Sequence, residues 1–518
     1  MFLQNVWTKW GNLLLLGSII MCGLGIRLFL AWSGTVDLLT RILPDDSYYY
    51  FTIARQLAEN GLSSFDGIHL TNGYHPLWMA IATAVYRLFP SFSSQDFPIH
   101  ILLTSGALLD VATGILLIWW LGKWKMAFGA RLIVALLYFL NPWIIAHGIN
   151  GLESALANFF LLATTVCLSQ YVTSQQTRSS KWLGLFSCLA ALTILARIDY
   201  AIFIACLGLV LLFTSLRDWK VKDYVYVFLP GALLLGMWLI WSWLTFHALI
   251  PQSGFAFSLV NKTLFYYKDR AWWEPVVWSV YQWGQTLRIA AHVSGFSWFV
   301  WVVLLGFCAW MIQLKRKKQA RSFLASLTVI LILGFVIYTF LQGAVRWSGR
   351  EWYFSFGPIL ALLILGQWLG SVPLTWRKSF MVIFLCLGLF WSQNPFPTAP
   401  FKNQWEMYQA AKALATLVPA EARVGAYNAG IYGYYSGRPI INLDGLVNIS
   451  AFHALRERTM YTYLKQEQID YILDYDIAVE YRYRPFFGRN DLTFLHPKQV
   501  LKEHSVYHDS KLRLFQVR

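Results

Sequence analysis

Two adjacent aspartates, Asp45 and Asp46, follow Pro44 at the head of the segment PDDSYYYFTIARQLAENG (44–61), and their types and placement suit acid–base chemistry. Carboxylates side by side at a membrane surface repel each other, which raises the pKa of one and suits it to act as a general base. The same residues after a proline also suit the first turn of a helix, where free backbone N–H groups favour them as caps. Spacing alone leaves both readings open. Further ionisable residues fall at the ends of apolar runs: Arg27, Glu153 in HGINGLE (147–153), Arg197 and Asp199 in ARID (196–199), and Arg346, Arg350 and Glu351 in RWSGREW (346–352). Charges at such positions in an apolar protein mark a cavity or an ion path, or else snorkel and pair locally. Several arginines among several carboxylates suit a phosphate-bearing substrate, whose leaving group needs cations while its acceptor needs a base. His75 in TNGYHPLWM (71–79) could hold a phosphate or a metal, or serve as a turn histidine. Asp110, in the middle of an apolar run, reads as a proton relay or as half of a buried pair, and His147 and His292 read as turn residues. No HExxH, P-loop or GxSxG pattern occurs. The six cysteines lie within apolar runs without CxxC spacing, so neither a disulfide framework nor a zinc knuckle is available.

The elements that must position these residues are membrane spans. Of 518 residues, 57% are hydrophobic and 13% charged, against about 25% charged in a soluble domain. That composition excludes a soluble globule. Apolar runs of bilayer length predict eleven spans, near 13–32, 98–121, 131–147, 154–171, 182–196, 200–214, 225–247, 296–314, 322–342, 353–371 and 379–394. The run 76–90 is short and carries Arg87, and it reads as an interfacial helix. With that assignment Lys9, Lys123/Lys125/Arg131, Arg178/Lys181, Arg217/Lys220/Lys222, Lys315–Arg321 and Arg377/Lys378 share one side, the cytoplasmic side by the positive-inside rule. The net charge of +16 arises mostly in the first 396 residues, 27 basic against 14 acidic, so it reads as topology rather than as a nucleic-acid footprint. The expected organisation is a membrane domain over 1–392, with outer loops at 33–97 and 248–295, and a small outer α/β domain over 393–518. In that domain 404–417 predicts a helix, and 422–428, 438–444, 470–475 and 512–517 predict strands. The N-terminus is expected in the cytoplasm and the C-terminus outside the cell (inner) membrane, with the first span as the targeting segment.

An acidic pair after the first span, two interfacial helices in a long first outer loop, a carboxylate at the next outer turn and a C-terminal outer domain together resemble the GT-C superfamily of polyprenyl-phosphate-sugar-dependent glycosyltransferases. PDDSYYYFTIARQL is similar to the PDExxY opening of the aminoarabinose and protein O-mannosyl transferase branch, YHPLWM (74–79) to its KPPLxYW segment, and GLESAL (151–156) to its second acidic motif. The motif likeness covers roughly residues 20–200. It implies that Asp45 is the counterpart of the catalytic aspartate, Asp46 of its acidic neighbour, and Glu153 of the second acidic position. His75 stands where those enzymes have a lysine for the lipid phosphate, a contact that Arg27, Arg197 or Arg350 would then supply, with Asp199, Arg346 and Glu351 also in the substrate site. The implied reaction is an inverting displacement from a polyprenyl-phosphate sugar donor to a glycan, lipid or protein acceptor, in contact with membrane lipids and without nucleic acid, a divalent metal being left open. A transporter or flippase of lipid-linked saccharides is the alternative, which inverted repeats would favour; the sequence has no such symmetry.

Overall fold

The computed structural model describes residues 2–90, 94–173, 179–266, 270–293, 322–371, 400–489, 491–503, 505 and 510–518. In lipid every backbone polar group must be satisfied within its own segment, so apolar runs fold as helices. Seven described helices are long and apolar enough to cross a membrane: Trp10–Ala31, Phe97–Lys123, Ser154–Thr173, Ile198–Asp218, Val221–Phe246, Ser326–Val345 and Glu351–Gly370. The chain is a multi-pass membrane protein. The segment 182–196 is the shorter apolar helix Ser180–Ala196. The segment 131–147, expected as one span, is instead two helices, Phe128–Phe139 and Pro142–Gly148, bent by 58°. Pro142 has no N–H to continue the first helix, and Asn141 Oδ1 accepts from the N–H groups of Trp143 and Ile144 to start the second. The expected spans 296–314 and 379–394 lie outside the described residues, so the count of eleven is not reached here.

Between the first two spans run the helices Asp45–Asn60 and Pro76–Leu88, packed against each other. The segment 248–295 carries two more, Ser253–Tyr266 and Glu274–Val293. The C-terminal domain holds the helix Asn403–Leu417 and a five-stranded sheet: β1 (Arg423–Ala426), β2 (Ile440–Asn442), β3 (Ile469–Tyr475), β4 (Leu495–Lys502) and β5 (Leu512–Val517). Their order is β2-β1-β3-β5-β4, with β1 parallel to β2 and β3, and β5 antiparallel to β3 and β4. β4 escapes the sequence pattern because it is an edge strand with the polar run His496–Gln499 around Pro497, which only an edge tolerates.

The domain docks on the helix Asp45–Asn60. Tyr48 packs against Tyr434 and Tyr435, and the Tyr49 hydroxyl accepts from the N–H of Ala429 at 2.9 Å. Gly430 opens the short helix Gly430–Tyr435, and a Cβ there would sit 2.5 Å from the Asp45 carbonyl oxygen, so only glycine allows this approach.

Arg27 is fully buried in the interior of the helix bundle. Its Nε and Nη2 each lie 2.7 Å from Asp110 Oδ2, and its Nη1 donates to the carbonyls of Gly23 and Phe139. Tyr138 donates to Asp110 Oδ1 at 2.8 Å, so Arg27 is engaged in a buried ion pair away from the cavities described below.

Candidate active site

The Asp45–Asn60 helix begins after Pro44 at the N-cap, and neither aspartate caps it by a side-chain hydrogen bond. The two carboxylates, both half-buried, take different partners. Asp45 Oδ1 accepts from the N–H of Ile431 at 2.8 Å, so it caps the first turn of the docked helix of the C-terminal domain. Burial, reinforced by the neighbouring Asp46 charge, pushes Asp45 from its ordinary 3.8 up to about 8. The Asp46 carboxylate accepts no hydrogen bond from the described residues. Burial raises its pKa as well, with the Arg350 charge pulling down and Glu153 pushing up.

Asp46 and Trp352 line two adjoining cavities. The smaller, about 360 Å³, holds His75, Glu153, Arg197, Asp199 and Arg346. Arg197 is fully buried and spent on its neighbours: Nη1 donates to Glu153 Oε1 at 2.7 Å and Nε to Asp199 Oδ1 at 2.9 Å, while its guanidinium covers the Tyr353 ring at 4.9 Å. Asp199 Oδ2 further accepts from Tyr338 and Gln342. His75 Nδ1 accepts from the N–H of Ile198, which leaves the proton on Nε2, 3.5 Å from Glu153 Oε1. Burial holds His75 below its ordinary pKa, so it is a neutral donor at pH 7. Among the described residues Arg346 is the one partly exposed cation of this cavity, with Nη2 donating to the Gly254 carbonyl and Nη1 4.0 Å from Asp199. At the rim stand Ile250 and Phe255, 58% and 53% exposed, from the 248–295 segment.

The larger cavity, about 750 Å³, lies between the first loop and the C-terminal domain, with Asp45, Asp46, Arg350, Phe257, Asn428 and Arg482 in its wall. Arg350 and Arg482 stack on the Phe257 ring at 4.5 and 5.1 Å. Glu351 belongs to neither cavity. It faces a third, about 180 Å³, with Trp143, His147 and His292, so adjacency in RWSGREW splits Arg350 from Glu351 onto different walls. Among the described residues no three His, Cys, Asp or Glu side chains are grouped to hold a metal ion.

Of the ten candidate residues, eight therefore gather around the Asp46 position, while Arg27 and Glu351 do not. The sequence reading missed Arg482, Phe257 and Tyr353. Arg482 lies in VEYRYRPF (479–486), where nothing in the pattern separates it from Arg484.

Residues 399–510 match a family model described as a domain of unknown function, DUF8728. No curated protein matches the chain. Two crystal structures of ArnT from Cupriavidus metallidurans do. The one bound to undecaprenyl phosphate aligns with a TM-score of 0.55 at 11% identity, over 96% of this chain and 97% of that one. The apo structure aligns with a TM-score of 0.53 at 11% identity, over 99% and 98%. The chain has a GT-C-like fold. The likeness runs through the spans, the first loop and the C-terminal domain alike, so the motif-level resemblance of residues 20–200 extends to the architecture of nearly the whole chain. At this identity it speaks for the fold, and residue roles rest on the geometry above.

Proposed function

We propose that this protein is an integral membrane glycosyltransferase that moves a sugar from a polyprenyl-phosphate donor to an acceptor hydroxyl on the outer face of the cell membrane, with inversion at the anomeric carbon. One observation carries the reading: the Asp46 carboxylate, free of hydrogen bonds from the described residues, stands where two cavities with arginines in their walls adjoin. A displacement needs a base on one side of the anomeric carbon and a cation for the departing phosphate on the other. Asp46 supplies the first. In the smaller cavity Arg346 and the Nε2–H side of His75 supply the second, while Glu153 and Asp199 hold Arg197 and, through it, the shape of the wall. The exposed apolar rim at Ile250 and Phe255 suits entry of an isoprenoid chain from the lipid.

In this mechanism the acceptor hydroxyl loses its proton to Asp46 as its oxygen bonds to the anomeric carbon, and the carbon–oxygen bond to the lipid phosphate breaks with its electron pair left on phosphate. The roles of the pair are thereby divided: Asp46 is the base and Asp45 the residue that seats the C-terminal domain. This departs from the motif resemblance, which makes Asp45 the counterpart of the catalytic aspartate. The solved relative bound to undecaprenyl phosphate supports a polyprenyl phosphate as the donor's lipid. The test is transfer from a polyprenyl-phosphate sugar by the purified, reconstituted chain. Asp46→Asn should lose on the order of 100-fold or more in rate and Asp45→Asn far less; the reverse order overturns the assignment, and near-normal transfer by both overturns the site.

A further inference from the structure

The C-terminal domain contributes one cation, Arg482, to the larger cavity, and among the described residues no carboxylate pairs with it. Arg482 sits on the last turn of the segment Ile477–Arg482, its Nε buried without a hydrogen-bond partner among the described residues. Arg350, from the membrane domain, reaches the same place. Both guanidiniums stack on the Phe257 ring, at 4.5 and 5.1 Å, and neither has a carboxylate within 4.0 Å among the described residues. Negative charges act on them without an ion pair, Asp46 with Arg350 and Asp444 with Arg482. Two cations held against one aromatic ring repel each other and retain unspent donors. An anion between them satisfies both, and guanidinium forks match the oxygens of phosphate or carboxylate. Tyr481, 63% exposed at the same cavity, adds a flat apolar face of the kind a sugar ring covers.

We propose that the larger cavity is the acceptor site, that the acceptor carries an anionic group, phosphate or carboxylate, gripped between Arg350 and Arg482, and that the C-terminal domain therefore takes part in choosing the acceptor. This rests on the reading of Asp46 as the base, since the gripped group must lie beside a hydroxyl that Asp46 can reach from the same cavity. The division of labour follows from the cavities: the smaller has the exposed apolar rim and Arg346, and the larger lies against the C-terminal domain and carries Arg350 and Arg482, which have no ion pair among the described residues.

The experiment measures binding to the full-length protein in detergent, with two probes: inorganic phosphate for the acceptor grip and undecaprenyl phosphate for the donor site. Arg482→Gln and Arg350→Gln should each weaken inorganic phosphate on the order of tenfold, with Arg482→Lys recovering part of the loss, while undecaprenyl phosphate binds within about twofold of wild type, as expected when donor and acceptor sites are separate. Unchanged unfolding temperatures verify that the variants are folded. If phosphate binding is indifferent to both arginines, the anion grip is wrong. If Arg482→Gln weakens undecaprenyl phosphate as much as inorganic phosphate, the pair holds the donor and the proposal falls. Loss of transfer in Asp46→Asn is read separately, so a failed acceptor site leaves the glycosyltransferase reading intact, and a failed transferase reading leaves the phosphate measurement interpretable.

Discussion

Asp45→Asn should change the pH dependence of stability far more than it changes catalysis. In the folded protein burial and the Asp46 charge raise Asp45 from 3.8 to about 8, so the neutral acid is the form that fits. The stability this contributes is fully present below pH 4 and is lost as pH rises through about 8, because the unfolded chain has released the proton over that range and the folded chain has not. A difference of about four pH units at 1.36 kcal/mol each bounds the effect at ~6 kcal/mol between pH 4 and pH 8. Asparagine keeps an oxygen to accept from the Ile431 N–H and cannot ionise, so it removes this slope while retaining the cap. The unfolding temperature of the detergent-solubilised variant relative to wild type should therefore climb steadily from pH 5 to pH 8.5, with transfer at pH 7 little altered. A difference that stays flat across that interval refutes the burial argument, and a variant that folds but has lost transfer returns the base to Asp45.

The acid limb of the rate profile should belong to Asp46, whose raised pKa makes transfer fall as pH drops toward the ordinary carboxylate range; an acid limb that survives in Asp46→Gln, measured on residual activity, excludes it. Asp110→Asn leaves Arg27 buried without its counter-charge and should cost roughly 3–5 kcal/mol, read as a lower unfolding temperature; Arg27→Met with Asp110→Leu should recover most of it. Gly430→Ala drives a methyl to 2.5 Å from the Asp45 carbonyl oxygen and should loosen the C-terminal domain by about 1–3 kcal/mol, detected as faster release of that domain by limited proteolysis. Reporter fusions at Arg321 and Arg518 should report opposite sides of the membrane, following the clustering of basic loops on one face; the same side for both rejects the topology.

What the sequence displayed were features with a period or a fixed neighbour. Apolar runs are visible as spans, the C-terminal domain's helix and four of its strands follow hydrophobic periodicity, and five of the seven ionisable residues at span ends line the two cavities together with Asp45, Asp46 and His75 of the first loop. What it concealed were partnerships across long separations. Arg27 and Asp110 are 83 residues apart, yet opposite charges inside neighbouring apolar segments have little alternative to pairing, and that was the available signal. Asp45 and Ile431 lie 386 residues apart, and Arg482 and Phe257 meet across the C-terminal domain and the 248–295 segment; no local pattern encodes either.

The aspartate pair shows why adjacency misleads. Successive residues on a helix point about 100° apart, so Asp45 and Asp46, at the first two positions of the same helix, take different partners. Both reach the larger cavity, but Asp45 is held by the N–H of Ile431 in the docked helix Gly430–Tyr435, while Asp46 alone also lines the smaller cavity. The arrangement ties the helix that carries Asp46 to the C-terminal domain through its neighbour Asp45. The first turn that carries Asp46 and the start of Gly430–Tyr435 are thereby joined by one hydrogen bond, Ile431 N–H to Asp45 Oδ1.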